Sequence, residues 1–424
     1  MAATASIETR RSWWVATAAT AILTFSYGAP LVAAVALKDI AADVGSARSV
    51  PALAGSLVWL GSGLGSIGLG WVAERIGFRW TAAFGALVIG FGLAVSARGG
   101  GWQLVLGHAL FVGLLGSGAI NIPLMVYVSR WFDRRRGSAL ALVASGQYIA
   151  GAIWPSVIAF ATARWGWRAT MIGVGVATAV AIVPIALLCL GPAPEPTAVA
   201  GASGSRRVRA PVLGLSPAWA FALLCIAGFL CCVPMAMPTG HLVALCSDLG
   251  IRPAQGALML SVLLGCAFLS RQLWGLLSDR VGGLLTILAG SICQATALVG
   301  FVWIRGEAGL FVVAAAFGLG FSGIIPAYVL TVRELFPAAE ATWRVPVWFF
   351  TNLCGMALGG WLAGWLYDRL ASYAPAFLAG VALNVANVAL IGWMATRQRG
   401  GMARRLLDSP RDKGFAVEHR GAEG

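Results

Sequence analysis

Apolar runs long enough to cross a bilayer alternate with short polar stretches along nearly all of the 424-residue chain. A hydrocarbon core about 30 Å thick takes about 20 helical residues, and twelve runs meet that length. In the first half they lie near 13–36, 51–72, 80–97, 103–128, 138–162 and 168–190. In the second half they lie near 216–246, 255–277, 283–303, 308–332, 345–367 and 374–395. Lipid offers no partner for a backbone N–H or C=O, so each run is expected to be helical. The predicted fold class is an all-α membrane protein of twelve transmembrane helices in two six-helix bundles. An even count puts both termini on one side.

Composition agrees: 59% of residues are hydrophobic and 11% charged, against about 25% charged in a soluble domain. The net charge of +14 does not imply a nucleic-acid partner, because the basic residues sit in loops and tails. With the N-terminus inside, the inner segments hold twenty-one of them, including Arg75, Arg79, Arg130, Arg134, Arg135, Arg136, Arg206, Arg207 and Arg209. The outer loops hold eight, Lys38, Arg48 and Arg252 among them. This excess predicts cytoplasmic termini, and the expected location is a bacterial inner (plasma) membrane. Met1 to Glu8 are mild and the first run is long enough to span, so no cleavable signal is expected. The eight cysteines form no CxxC or CxxH pair, which argues against a metal site and against a disulfide framework. No cofactor is expected.

The Pro-, Gly- and Ser-containing stretch 191–215 reads as a flexible linker. It divides the chain into an N-terminal bundle (1–190), a C-terminal bundle (216–396) and a basic tail (397–424). The linker's basic cluster and the tail are expected to rest on the anionic inner leaflet of the bilayer.

One charge remains inside a span. Arg271 stands eight residues before Asp279, about 12 Å along a helix, and so near mid-membrane. A guanidinium stays protonated there and costs about 2.5–3.5 kcal/mol on insertion scales. A cation that costly faces a water-filled cavity or an anion, so Arg271 is the candidate substrate-binding centre. All sixteen Asp and Glu residues lie in loops, tails or span ends, so no mid-membrane acid accompanies it. One guanidinium fork matches one carboxylate, and a dianion would be left under-neutralised. A small organic monoanion is the expected substrate, with a proton or a counter-anion as co-substrate.

Tyr27, Asn121, Gln147, Tyr148, Tyr328 and Asn352 are polar groups inside apolar runs, and each needs a hydrogen-bond partner. Tyr27, Gln147 and Asn352 are the preferred companions of Arg271, although a helix–helix hydrogen bond would satisfy any of them. Phe25, Trp154, Phe268 and Trp348 are candidates for an apolar wall. His241 is the histidine placed for proton coupling, with helix packing as the alternative. His108 is expected to be structural.

The two sides of the linker echo each other. Gly70-Trp71-Val72-Ala73-Glu74-Arg75-Ile76-Gly77-Phe78-Arg79 closes span two, and Gly275-Leu276-Leu277-Ser278-Asp279-Arg280-Val281-Gly282-Gly283 closes span eight. Glycine, acid, arginine and glycine recur in register. The pattern resembles the signature loop of the major facilitator superfamily. That resemblance implies that Glu74, Arg75, Arg79, Asp279 and Arg280 pair with neighbouring helix ends and close a cytoplasmic gate. Arg130 to Leu140, Gly146-Gln147-Tyr148, Gly360 to Asp368 and Arg271 resemble the monocarboxylate-transporter and oxalate/formate-antiporter branch, in which a span-eight arginine binds the substrate carboxylate. The chain departs from that branch at Ala267, where animal carriers have an aspartate. It also lacks their span-one lysine and the span-eleven lysine of the oxalate/formate relatives.

The run Gly61 to Gly68 lies inside a span with no strand before it, so it is not a dinucleotide site. Gly61/Gly65, Gly355/Gly359 and Gly360/Gly364 give small-residue faces. In the superfamily span two slides against span eleven, and these faces are expected to serve that movement. No HExxH, GxSxG or cluster of acids within the spans points to an enzyme, and the short tail argues against a signalling domain. A secondary transporter of small organic monoanions, working as a monomer by alternating access, is the primary expectation. An exporter of amphipathic or acidic drug-like compounds is the alternative.

Overall fold

The computed structural model describes residues 6–192 and 212–408. Most of the 191–215 linker, with Arg206, Arg207 and Arg209, and the tail beyond Asp408 lie outside the described residues. Among those described, 11 helices are long and apolar enough to cross a membrane. One of them, Arg136–Cys189, is two spans merged across Gly166, whose φ of 78° turns the chain with no loop between. The twelve predicted spans are therefore all present.

Span one (Arg10–Val35) is broken at Tyr27 and resumes at Gly28. Spans two (Ser49–Ile76) and three (Phe78–Arg98) meet at Gly77. Span four (Gly101–Ser129) is π-helical over Gly107–Ser117. Spans five and six are the two arms of the merged helix. Span seven (Pro217–Asp248) starts on a Ser216 cap followed by proline. Spans eight (Pro253–Val281) and nine (Gly283–Trp303) meet at Gly282. Span ten (Glu307–Leu335) breaks at Ser322 and Gly323. Span eleven is Ala338–Leu370, and span twelve continues as helix to Asp408, past the predicted end.

The repeated glycine has a backbone reason. Gly77 and Gly282 both hold positive φ, 92° and 85°, a region that costs an L-residue roughly 1–2 kcal/mol. Each lets one span reverse into the next across a single residue.

Spans one to six pack into one bundle and seven to twelve into another. The bundles meet through span two against eleven, span five against eight and span one against seven. The glycine faces are not used as expected. Gly61 and Gly65 lie on backbone of span four at Ala109 and Leu114, and Gly355 and Gly359 lie on span seven at Phe229 and Val233. These four build the inside of each bundle. Only Gly360 and Gly364, against Ser56, Ala52 and Ser49, sit at the span two–eleven seam, joined there by Gly63 beside Leu353. The reason is steric: a glycine allows any close helix approach, and the pattern carries no record of which neighbour arrives.

Candidate substrate site

Arg271 is fixed by its neighbours on span eight. The Ser270 hydroxyl meets that of Ser322 at 2.6 Å, at the break in span ten. Trp274 donates its indole N–H to the Leu319 carbonyl, also at 2.6 Å. Gly323 leaves room for the Trp274 ring, which a Cβ there would strike. Ser270 and Trp274 thus pin span eight to span ten on either side of the arginine. Neither stood out in the sequence, because a serine and a tryptophan in an apolar run look like ordinary packing.

The half-buried Arg271 side chain turns to the other bundle. Its guanidinium carbon lies 5.2 Å from the centre of the Tyr148 ring on span five, close enough for a cation–π attraction. Tyr148 is 6% exposed, and its ring packs 6.4 Å from that of Phe321 on span ten. Tyr27 packs its ring 6.2 Å from that of Trp59 on span two. Among the described residues no carboxylate pairs with Arg271.

A cavity of about 120 Å³ opens between the bundles, lined by spans one, two, five, seven, eight and eleven. Tyr27, Gln147 and His241 are in its wall with Trp59, Leu264 and Met356. Four expected site residues therefore converge on one region, Arg271, Tyr148, Tyr27 and Gln147, with His241 at the far side.

The others do not join them. Asn121 sits between the Ser26 hydroxyl at 3.5 Å and the Ser62 hydroxyl at 3.4 Å, within the first bundle. Tyr328 donates to Asn387 at 2.9 Å, and Asn387 donates to Ser291, inside the second bundle. Trp348 stacks on Tyr328 there, 4.9 Å between ring centres, and is fully buried. Asn352 is 3% exposed and faces Gly228 on span seven. Of the expected wall residues, Phe25 and Trp154 pack on each other at 5.9 Å.

The imidazole of His241 is held at both nitrogens. Nε2 lies 2.7 Å from the Gly360 carbonyl, which only accepts, so Nε2 carries a proton. Nδ1 lies 3.3 Å from the Tyr373 hydroxyl. Burial pushes the Tyr373 phenol above its ordinary range despite the pull of Arg48, so it stays a donor.

Beyond Tyr373 lies a cluster that joins the two bundles at the face opposite the termini. Arg48 clamps Asp248 with two hydrogen bonds of 2.6 and 2.8 Å, and Lys38 adds a third at 2.9 Å. Arg48 also donates to the Tyr373 hydroxyl at 3.2 Å and lies 3.7 Å above the Tyr367 ring. Asp368 accepts the backbone N–H groups of Arg48 and Ser49, both at 2.8 Å, and so caps the start of span two. The sequence showed these residues only as loop charges, because the partners are 200 and 320 positions apart.

At the face bearing the termini the expected gate residues stay within their own bundles. Glu74 pairs with Arg130 at 2.6 Å. Arg75 lies over Trp71 at 3.7 Å and Arg79 over Trp80 at 5.3 Å. Asp279 and Arg280 make no ion pair among the described residues. Among those residues, all ion pairs between the bundles are at the opposite face.

Known proteins match this arrangement. The Major Facilitator Superfamily family model matches residues 15–338, more than half of the chain. An MFS-type transporter of Gibberella moniliformis is 24% identical over 315 residues, covering 72% of this chain and 74% of that protein. An agnestins efflux protein of Paecilomyces divaricatus is 27% identical over 297 residues, covering 68% and 65%. Among solved structures, the nucleoside transporter NupG superposes with a TM-score of 0.72 at 14% identity, covering 91% of this chain and 100% of that one. A bacterial homologue of the lysosomal transporter Spinster, in an inward-facing and occupied conformation, gives 0.69 at 14%, covering 92% and 98%. The twelve spans, the paired glycine hinges and these matches lead to one conclusion: the chain belongs to the major facilitator superfamily and is a multi-pass membrane transporter of that family.

Proposed function

We propose that the chain is a secondary transporter of organic monocarboxylates, with Arg271 holding the carboxylate between the bundles. The observation that carries this reading is an arginine deep in the bilayer, pinned at Ser270 and Trp274 and without a carboxylate partner among the described residues. Its charge is balanced when an anionic substrate arrives, and a guanidinium–carboxylate pair is bidentate and strong. Tyr27, Tyr148 and Gln147 line the approach, and His241 stands at the far wall. Asn121, Tyr328 and Asn352 serve the interior of their own bundles.

Transport proceeds by rocking of the two bundles about this site. The excess of basic residues beside the termini supports cytoplasmic ends in the plasma membrane, and two bundles that enclose the site between them support a monomer. In that orientation the face joined by Arg48, Asp248 and Asp368 is the outer one. Glu74, Arg75, Arg79, Asp279 and Arg280 then act on the cytoplasmic side when the outside opens. A second reading, export of acidic amphipathic compounds, draws support from the relative named as an efflux protein. It uses the same arginine.

Purified protein in liposomes, assayed for uptake of labelled lactate, pyruvate, formate and short branched acids, tests the reading. Saturable uptake lost in Arg271→Ala, with Arg271→Lys intermediate, supports the anion site. Uptake indifferent to Arg271→Ala overturns it.

A further inference from the structure

The cavity and the arginine lie on one stripe. Leu264, in the cavity wall, and Arg271 are seven residues apart on span eight, two helical turns and about 10 Å along one face. Phe268 stands on the same face between them. On span five, Gln147 and Gly151 both line the cavity, and Tyr148 beside them carries the guanidinium. Side chains on a helix lean toward its N-terminus, which for span eight is the cavity end. The arginine side chain therefore leans toward the cavity from just beyond its wall, of which Tyr27 is part.

The wall is largely apolar, from Leu31, Trp59, Ala236, Leu264 and Met356. An apolar cavity of about 150 Å³ accepts benzene, so the 120 Å³ here holds a body of about five carbons. A formate or acetate bound at Arg271 would leave that wall without an occupant.

Building on the carboxylate reading of Arg271, we infer that the preferred substrate is an amphipathic monocarboxylate. Its acid group sits on Arg271 and its aliphatic body fills the cavity beside Trp59, Leu264 and Met356. Each added methylene buried in the cavity then tightens binding about three- to fourfold, until the cavity is full. Polar bodies of the same length gain nothing.

The test is competition by a graded series against one labelled acid in proteoliposomes, with acetate, butyrate, hexanoate, octanoate, benzoate and phenylacetate as probes. Gly240 supplies the variant: it lines the cavity, and a Cβ there meets no atom within 4 Å. Gly240→Leu fills the space with little strain on the backbone. In wild type, hexanoate is expected to compete at least tenfold better than acetate, and octanoate no better than hexanoate. Gly240→Leu is expected to erase that advantage while leaving acetate within about twofold. A flat series in a protein whose uptake still depends on Arg271 overturns the cavity proposal and leaves the anion site standing. Competition by long acids that is unchanged in Gly240→Leu also overturns it, because the body then lies elsewhere. Uptake that ignores Arg271→Ala is a different failure, that of the anion site itself.

Discussion

On the carboxylate reading, a single residue at mid-membrane decides between substrate classes. Removing the Arg271 charge takes away charge-assisted hydrogen bonds worth about 1.5–3 kcal/mol, so Arg271→Ala is expected to lower kcat/KM for a carboxylate ten- to a hundredfold or more. Arg271→Lys keeps the charge but loses the planar fork, and should fall between the two in the same uptake assay. Trp274→Phe removes only the indole donor to Leu319, so it should weaken transport severalfold without touching the charge. Arg271 was legible in the sequence because a charge in an apolar run has one explanation fewer than a loop charge does. Tyr328 and Asn352 were not assignable for the converse reason. An uncharged polar group inside an apolar span is satisfied as well by a neighbouring helix as by a ligand, so its position alone does not say which it meets. The pairing of Arg48 with Asp248 and Asp368 was not legible, because it depends on tertiary contacts between distant loops, which no local pattern records.

Elements show a different economy of small residues. A Cβ at Gly65 strikes the backbone of Leu114, which cannot turn aside, whereas one at Gly360 meets the rotatable Ser56 hydroxyl at 2.5 Å. Overpacking a tight contact costs about 1–3 kcal/mol. Gly65→Ala is therefore expected to lower the thermal unfolding temperature in detergent clearly, and Gly360→Ala only slightly. The seam at Gly360 joins the two bundles, so that second variant is expected to slow turnover instead. Equal destabilisation by the two would show that the packing is softer than the close approach implies. The twelve spans and the hinge glycines were readable because membrane length and positive φ leave strong local marks. The breaks at Tyr27 and at Ser322–Gly323 and the π-helical stretch in span four were not, since they answer to packing between spans.

For the whole molecule, the cluster at the face opposite the termini joins the two bundles. It couples a bidentate ion pair, a capped helix and a hydrogen bond to His241 at the cavity wall. Neutralising Asp248 removes the attraction to Arg48, and neutralising Asp368 removes the cap's complement to the helix dipole. Asp248→Asn or Asp368→Asn is expected to raise the share of molecules open at that face. Cysteine labels placed on either side of the cluster would report this as a longer distance. No change in the distance distribution would mean that apolar contact along spans two and eleven suffices to hold the face shut.

On the carboxylate reading, the cation at Arg271 also has an electrical consequence. With a monocarboxylate bound, the centre of the membrane is neutral, and the loaded protein can change state with little regard for voltage. Empty, it must do so with a bare positive charge inside the field, where a full crossing is worth about 2.3 kcal/mol per 100 mV. Swapping one labelled acid for an unlabelled one should therefore ignore an imposed potential. Net movement, which needs the empty return, should follow it.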